Sequence, residues 1–451
     1  MRFRAETGEG YELMGNVGTT AWRRMARAAL LLGAAGLASA AMAQERPIAF
    51  TDATILTMAG ARIENGTLVI ADGKIAAVGA NVAIPADAER RSAAGKLIMP
   101  GIVDTHSHIG QVAGADRSGP IQPEVRAMDS INPMASNIAK ARSGGIITVN
   151  VMPGSGHLVS GQTFYMKLRK GNTVEDIAYR WENGAAMGGL KMANGTNSQR
   201  GEGGFPGTRS KSAALLRTAL TDAKTYCSGD RKKPDLGKET LCEVLSGKRL
   251  VHFHSHRADD IMTVLRLKRE FGFNVLIQHG MESYKVADEL VAAGVPVSAI
   301  LVDSPGGKLE AQGARLDTAG VLERAGVLTS LHSDDGVIDS RMMFRHAGIA
   351  VRAGMSREGA LRALTINGAR QLGLDERVGS LEPGKDADFL ILSGDPLSVY
   401  THVLETWVEG EKLFDREREE DRLMATGGYG AGNPMEMAYY HWEFAEGEGG
   451  Q

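Results

Sequence analysis

The sequence predicts an α/β protein: a TIM-like (β/α)8 barrel with a small β-sandwich domain formed from both flanks. Three observations predict it. Apolar strand-like runs alternate with helix-like stretches over about 270 residues, the rhythm of repeated βα units. Short strands with tight turns frame that stretch on both sides. Nine of the eleven histidines fall between His106 and His346, inside the alternating region. The boundaries follow: 44–96 and 377–414 for the β domain, 97–376 for the barrel, and 415–451 for an acidic tail.

Composition sets the outer limits. At 451 residues, with 43% hydrophobic and 23% charged residues, the chain is neither mainly disordered nor a polytopic membrane protein. Fifty-seven glycines suit a loop-rich enzyme with many tight βα turns. Two cysteines are too few for a disulfide scaffold or a cysteine-based zinc site. A formal net charge of −3 advertises no large basic surface, so no nucleic-acid partner is expected.

The first 43 residues read as a secretory signal peptide. Arg23, Arg24 and Arg27 precede the apolar run Ala28–Leu37, and Ala41-Met42-Ala43 offers a small-residue cleavage site. A retained anchor is the alternative, and Met14 is an alternative start. Export, most simply to a bacterial periplasm, is the expectation, with no membrane contact after cleavage. Without residues 1–43 the chain carries 46 basic and 51 acidic residues; nine of those acids lie in 415–451, against three bases. That tail, with its cluster Tyr439-Tyr440-His441-Trp442, reads either as a solvated appendage or as a segment packed on the body. In an oxidising compartment Cys227 and Cys242 can pair and close the polar segment Thr221–Lys248; two free thiols are the alternative.

Along the chain, Thr67–Ile70 and Lys74–Val78 are strand-like, with turns at Ala59-Gly60, Asn65-Gly66 and Asp72-Gly73. After Leu97–Val103 come the strand candidates Ile146–Val151, Gly189–Met192, Arg249–His254, Asn274–Ile277, Val295–Ile300 and Gly326–Leu331. Ala258–Phe271 and Lys285–Ala293 read as helices between them. Phe389–Leu392 and Thr406–Val408 return to the strand pattern of the first flank. Gly154–His157 with Gly161-Gln162 reads as the rim of an active site, because Phe164-Tyr165 continues as strand rather than helix.

The histidines carry the chemistry. In Asp104-Thr-His106-Ser-His108, positions i and i+2 of a strand share a face, so both imidazoles can reach one metal. His252-Phe-His254-Ser-His256, Gln278-His279-Gly280 and Ser330-Leu-His332-Ser-Asp334-Asp335 end later strands. Catalytic groups of such barrels come from the C-terminal ends of different strands. By the same alternation His332 points with Asp334, to orient it or to hold an oxyanion; a packing imidazole is the alternative. Arg209 can hold a substrate carboxylate as a bidentate partner, or be a solvated loop arginine.

Taken together, Pro100-Gly-Ile-Val-Asp-Thr-His-Ser-His108, the strand-end histidines, the final Ser-Asp, Ala363-Leu-Thr-Ile-Asn-Gly-Ala369 and Gly379-Ser-Leu-Glu-Pro-Gly-Lys-Asp-Ala-Asp388 resemble the amidohydrolase superfamily, near the imidazolonepropionase-like metal-dependent hydrolases. The likeness runs from about Pro47 to Phe414. It implies His106 and His108 as ligands of the more buried metal. It implies Asp334 as ligand and base, His254 as the fifth-strand ligand and His279 as the sixth-strand ligand. His256 and Arg257 then face substrate or take a supporting role.

Lys191, in Gly189-Leu-Lys-Met-Ala-Asn-Gly195, stands where two-metal members carry a carboxylated lysine that bridges both ions. The resemblance makes zinc the default, although a thiolate-free donor set also suits manganese, cobalt or iron. It implies hydrolysis of a C–N bond in a small-molecule amide, dipeptide or cyclic amide, and leaves a homo-oligomer open. A deaminase and an imidazolonepropionase are the enzymatic alternatives. Both usually place a Glu shortly after the fifth-strand histidine, where Ser255-His256-Arg257 stands here. An exported binding protein with a structural metal is the non-enzymatic alternative.

Overall fold

The first flank folds on its alternating apolar residues. It forms β1 (Ile48–Ile55), β2 (Ile63–Ala71), β3 (Lys74–Gly79), β4 (Glu89–Ser92) and β5 (Leu97–Pro100). Asp72 and Gly73 both have positive φ, 50° and 73°, and make the tight turn between β2 and β3. The expected turn at Asn65-Gly66 is absent. Those residues lie inside β2, where the pairing slips between Ala53↔Gly66 and Ile55↔Ile63, so the dipeptide absorbs a bulge.

The computed structural model describes residues 46–427 except 111–115, 117, 202–203 and 302–308. The expected leader over 1–43 and the Tyr439–Trp442 cluster lie outside these residues. The described residues fall in one unit from Arg46 onward. None of their helices is long and apolar enough to cross a membrane.

The last flank adds β15 (Phe389–Leu392), β16 (Val403–Val408) and β17 (Glu411–Asp415) to the same sheet. Its order is β17-β16-β15-β5-β1-β2-β3, with β4 beside β1. The flanks therefore join as expected, through the antiparallel β5–β15 ladder from Leu97↔Leu392 to Pro100↔Phe389. Phe50 of β1 meets Phe389 and Trp407 edge-on, each 5.2 Å between ring centres, which gives the two flanks a shared core. The second facing sheet that a β-sandwich requires is not found among the described residues; all eight flank strands form one sheet.

Between the flanks, β6 (Ile102–Ser107) and β7 (Ile146–Val151) pair in parallel. So do β10 (Leu190–Ala193), β11 (Val251–Ser255), β12 (Val275–His279), β13 (Val297–Ala299) and β14 (Thr329–Leu331). Every residue of these seven strands is buried, as parallel strands covered on both faces require. The sequence reading missed β8 (Val159–Gln162), which runs antiparallel to β10. It anticipated β9 (Phe164–Lys167) only as a strand; β9 runs antiparallel to β7.

Among the described residues the ladders thus form a six-stranded and a three-stranded sheet and do not close into one continuous barrel. At the β6–β14 seam a single backbone bond, Asp334 N–H to the His106 carbonyl at 2.9 Å, stands in for a ladder. Gly101 joins β5 directly to β6; a Cβ there would lie 2.0 Å from the Ile147 side chain, so any larger residue would have to displace that buried isoleucine of β7.

A buried ionic cluster couples β9 to the flanks. Lys167 is fully buried, with Nζ 2.9 Å from Asp388 and 3.2 Å from Glu409, and it also contacts Asp386. Arg377 pairs with Asp386 at 2.8 Å. These carboxylates hold the Lys167 ammonium protonated well beyond the usual lysine range, against the effect of its burial.

The segment around the cysteines is helical rather than a polar loop. Helix Arg209–Ser228 starts on Thr208, whose hydroxyl accepts from Lys211 N–H, and helix Leu236–Leu245 starts on Asp235, which accepts from Lys238 N–H. Cys227 and Cys242 join the two as a disulfide with Cα atoms 5.7 Å apart.

Two outcomes follow. Lys167→Met, which leaves the carboxylates without their buried partner, is expected to cost about 3–5 kcal/mol in urea unfolding; a change below about 1 kcal/mol would show that water already screens the cluster. The denatured, unreduced chain should take up no alkylating reagent and the reduced chain two equivalents, with stability falling by up to about 3 kcal/mol. Alkylation before reduction contradicts the pairing.

Candidate active site

Four strand ends deliver the polar groups. His106 and His108 leave β6, His254 ends β11, His279 ends β12, and Asp334 follows β14. The Asp334 carboxylate lies between the first pair: its Oδ1 is 3.0 Å from His108 Nε2 and 3.3 Å from His106 Nε2. The other ring nitrogen of each histidine is engaged elsewhere. His108 Nδ1 donates to the Met152 carbonyl at 2.8 Å, and His106 Nδ1 lies 3.2 Å from Gln278 Oε1. This fixes both tautomers with the Nε2 lone pairs turned to the carboxylate. His106, His108 and Asp334 have ligand atoms within 4.8 Å of one another.

Asp334 is held in place by its neighbours. Ser333 donates through Oγ and N–H to Asp104, at 2.5 and 3.1 Å, and so binds the segment after β14 to β6. Burial pushes Asp104 up to about 7 despite these donors. Burial opposes the charged form of Asp334 too, but the imidazoles of His106, His108 and His332 hold its carboxyl well below the usual range. Burial likewise holds His106 and His279 well below an ordinary imidazole, and His332 down to about 3.

The structure brings most of the expected residues together. His279 Nδ1 is 3.8 Å from Asp334 Oδ2 and 3.2 Å from His332 Nε2. His332 Nδ1 lies 2.7 Å from Ser298 Oγ, and its ring stacks on His106 at 4.9 Å. His254 and His256 sit 4.5 Å apart, and both rings approach His279, at 4.6 and 5.2 Å. Lys191 is only 1% exposed; its Nζ lies 3.3 Å from His106 Nε2 and 3.0 Å from Met152 Sδ.

Two expected substrate contacts stand apart. Arg257 starts the helix after β11 with its side chain 46% exposed and paired with Asp259, because the strand-to-helix turn points it outward. Arg209 donates to Asp260 and Glu310 instead of standing open for a carboxylate.

The sequence reading also missed a supporting layer. Gln278 accepts from His106 through Oε1, and its Nε2 donates to His252 Nδ1 at 3.1 Å. Tyr165 Oη lies 3.1 Å from His252 Nε2, and Asn150 Nδ2 bonds both the His252 ring and the Thr105 carbonyl. His252 thus lies below the cluster rather than in it, and burial lowers it to about 3. The residue before His279 was visible in the motif, but only the fold shows what its amide touches.

A donor set of imidazole nitrogens and a carboxylate, with tautomers already fixed, fits a divalent cation. Residues 97–415 match the amidohydrolase family. The chain belongs to the amidohydrolase family. The fold of its relatives is a TIM-like barrel of mixed α/β content, and the family is one of hydrolytic, metal-dependent enzymes acting on C–N bonds. An amidohydrolase from Thermotoga maritima MSB8 superposes with a TM-score of 0.77 at 35% identity, over 82% of this chain and all of that one.

Amidohydrolase tasK of Hapsidospora irregularis is 26% identical over 397 residues, 78% of this chain, but the match spans only 39% of that protein. An imidazolonepropionase from Thermoplasma volcanium is 24% identical over 409 residues, covering 79% of this chain and 92% of that one.

Gln278→Leu removes the acceptor that fixes the His106 tautomer. It should weaken divalent-metal affinity by about 10–100-fold in calorimetric titration and, by leaving His106 and His252 short of a buried partner, destabilise the metal-free protein by about 1–3 kcal/mol. Unchanged affinity would mean that the ring is oriented by packing alone.

Proposed function

We propose that this amidohydrolase cleaves a C–N bond of a small amide, a dipeptide, an N-acylated amino acid or a cyclic amide. The observation that carries the reading is the Asp334 carboxylate at 3.0 and 3.3 Å from two imidazole nitrogens whose partner nitrogens are already hydrogen-bonded. Such a carboxylate both binds a cation and accepts a proton.

His106, His108 and Asp334 would hold one ion, and His254 and His279 a second. Lys191, carboxylated on Nζ, would link the two; its buried position beside His106 supports this, since an ammonium there is costly. Zinc is the proposed metal. A bound divalent ion supplies a water of lowered pKa and polarises the carbonyl under attack. The chain's own residues manage the protons. Asp334 takes one from the attacking water and returns it to the leaving nitrogen as the C–N bond breaks. His332, held by Ser298, keeps Asp334 and His279 in register or stabilises the oxyanion, and His256 faces the substrate side. The match to an imidazolonepropionase over 79% of the chain supports cyclic amides within this range. Export to the periplasm, argued from residues 1–43, remains part of the proposal.

Metal-loaded protein should hydrolyse members of an amide, dipeptide and lactam panel, lose this on chelation and regain it with zinc. Asp334→Asn should lower kcat by about 10²–10⁴-fold, the usual share of a general base. Lys191→Ala should roughly halve the bound metal. Inactivity of the loaded enzyme on every C–N substrate rejects the catalytic reading, and unchanged stoichiometry in Lys191→Ala rejects the bridge.

A further inference from the structure

Glu310 is a carboxylate that no sequence motif marks. It is 3% exposed, and its two oxygens are treated differently. Oε2 accepts from Thr196 N–H at 2.7 Å and from Arg209 Nη2 at 3.1 Å. Oε1 is buried and has no hydrogen-bond partner among the described residues. Backbone packs closely on the carboxylate: a Cβ on Gly195, whose φ is +75°, would lie 2.5 Å from Oε2. The group is therefore held in a fixed orientation with one oxygen unanswered.

Charge makes the same point. Arg209 is shared, because its Nε lies 3.1 and 2.9 Å from the two oxygens of Asp260. One guanidinium thus faces two buried carboxylates. A buried carboxylate oxygen without a partner is costly. Glu310, His254 and His256 place a carboxylate oxygen and two ring nitrogens within 4.8 Å of one another, all on buried residues. Two imidazoles and a carboxylate form a donor set suited to zinc, cobalt, manganese or iron.

We propose that Glu310, with His256, completes a divalent-cation site on His254, so that the second ion is anchored by a carboxylate from the segment after β13. This rests on the two-ion reading above and extends it. His256 becomes a ligand rather than a substrate contact. Arg209 becomes a positioning residue that aims Glu310, rather than a group that holds substrate.

The test is cobalt or zinc titration of chelated, full-length protein by calorimetry, with metal content measured by mass spectrometry. The wild type should take two equivalents. Glu310→Gln should lose one, or bind it at least 10-fold more weakly, and leave the other unchanged; His108→Ala should affect the other. Arg209→Met should weaken only the ion that Glu310 serves. Glu310→Asp, which keeps the charge for Arg209, guards against a folding defect; it should retain the circular dichroism spectrum and melting of the wild type while its second ion binds more weakly.

Two equivalents of unchanged affinity in Glu310→Gln overturn the proposal and leave Glu310 as a partner of Arg209 alone. If the wild type takes a single ion, its loss in Glu310→Gln supports the site, and its loss only in His108→Ala overturns it. Failure of the loaded enzyme to cleave amides would reject the catalytic reading without altering these metal counts.

Discussion

The contact of the Asp334 carboxylate with the imidazoles of His106 and His108 is the constraint on which the rest of the site depends. It joins the first and last strands of the barrel region where no ladder does, helped by the Asp334 N–H bond to the His106 carbonyl and by Ser333 on Asp104. The backbone bears a cost for it. Asp334 and His279 both adopt left-handed conformations, with φ of 49° and 68°. Each is an unfavourable choice for a non-glycine residue, of the order of 1–3 kcal/mol. The dense hydrogen bonding around them over-determines a geometry that neither residue would choose alone.

Below that contact lies a layer of neutral polar groups. Gln278, His252, Asn150 and Tyr165 form a connected set in the interior, with Gln278 passing orientation from His252 to His106. Above it the charges are full: Asp260, Arg209 and Glu310 tie the start of helix Arg209–Ser228 to the cluster's outer rim. Neutral amides suit the layer beneath the rings because they orient a ring without adding charge, whereas the two buried carboxylates above it, Asp260 and Glu310, draw on the partly exposed Arg209.

Much of the architecture was legible in the sequence, for a physical reason. Ile146–Val151, Ala258–Phe271 and Phe389–Leu392 were read to the residue, because continuous apolar runs and clear helical periodicity leave few alternatives. The i and i+2 spacing of His106 and His108 likewise fixed a shared face. Long-range partners were not legible. Nothing in the local sequence says that Glu310 reaches His254, that Arg209 meets Asp260 before any substrate, or that β9 runs against its neighbours. The helices around Cys227 were missed because their exposed faces are polar and the apolar face is narrow; Leu216, Leu220 and Ala223 carry its burial. Arg257 was misplaced because a residue next to a strand-end histidine turns with the helix it begins.

The ladder between β5 and β15 has a consequence for biogenesis. It joins Leu97 to Leu392, so the sheet cannot be completed until the chain through Leu392 has left the ribosome. Until then β5 offers an open apolar border with no mate, the kind of edge that recruits neighbouring chains. Closing so large a loop also makes assembly slow. The protein's yield in a cell would then be governed by how long that border is shielded during synthesis, rather than by the depth of the finished energy well.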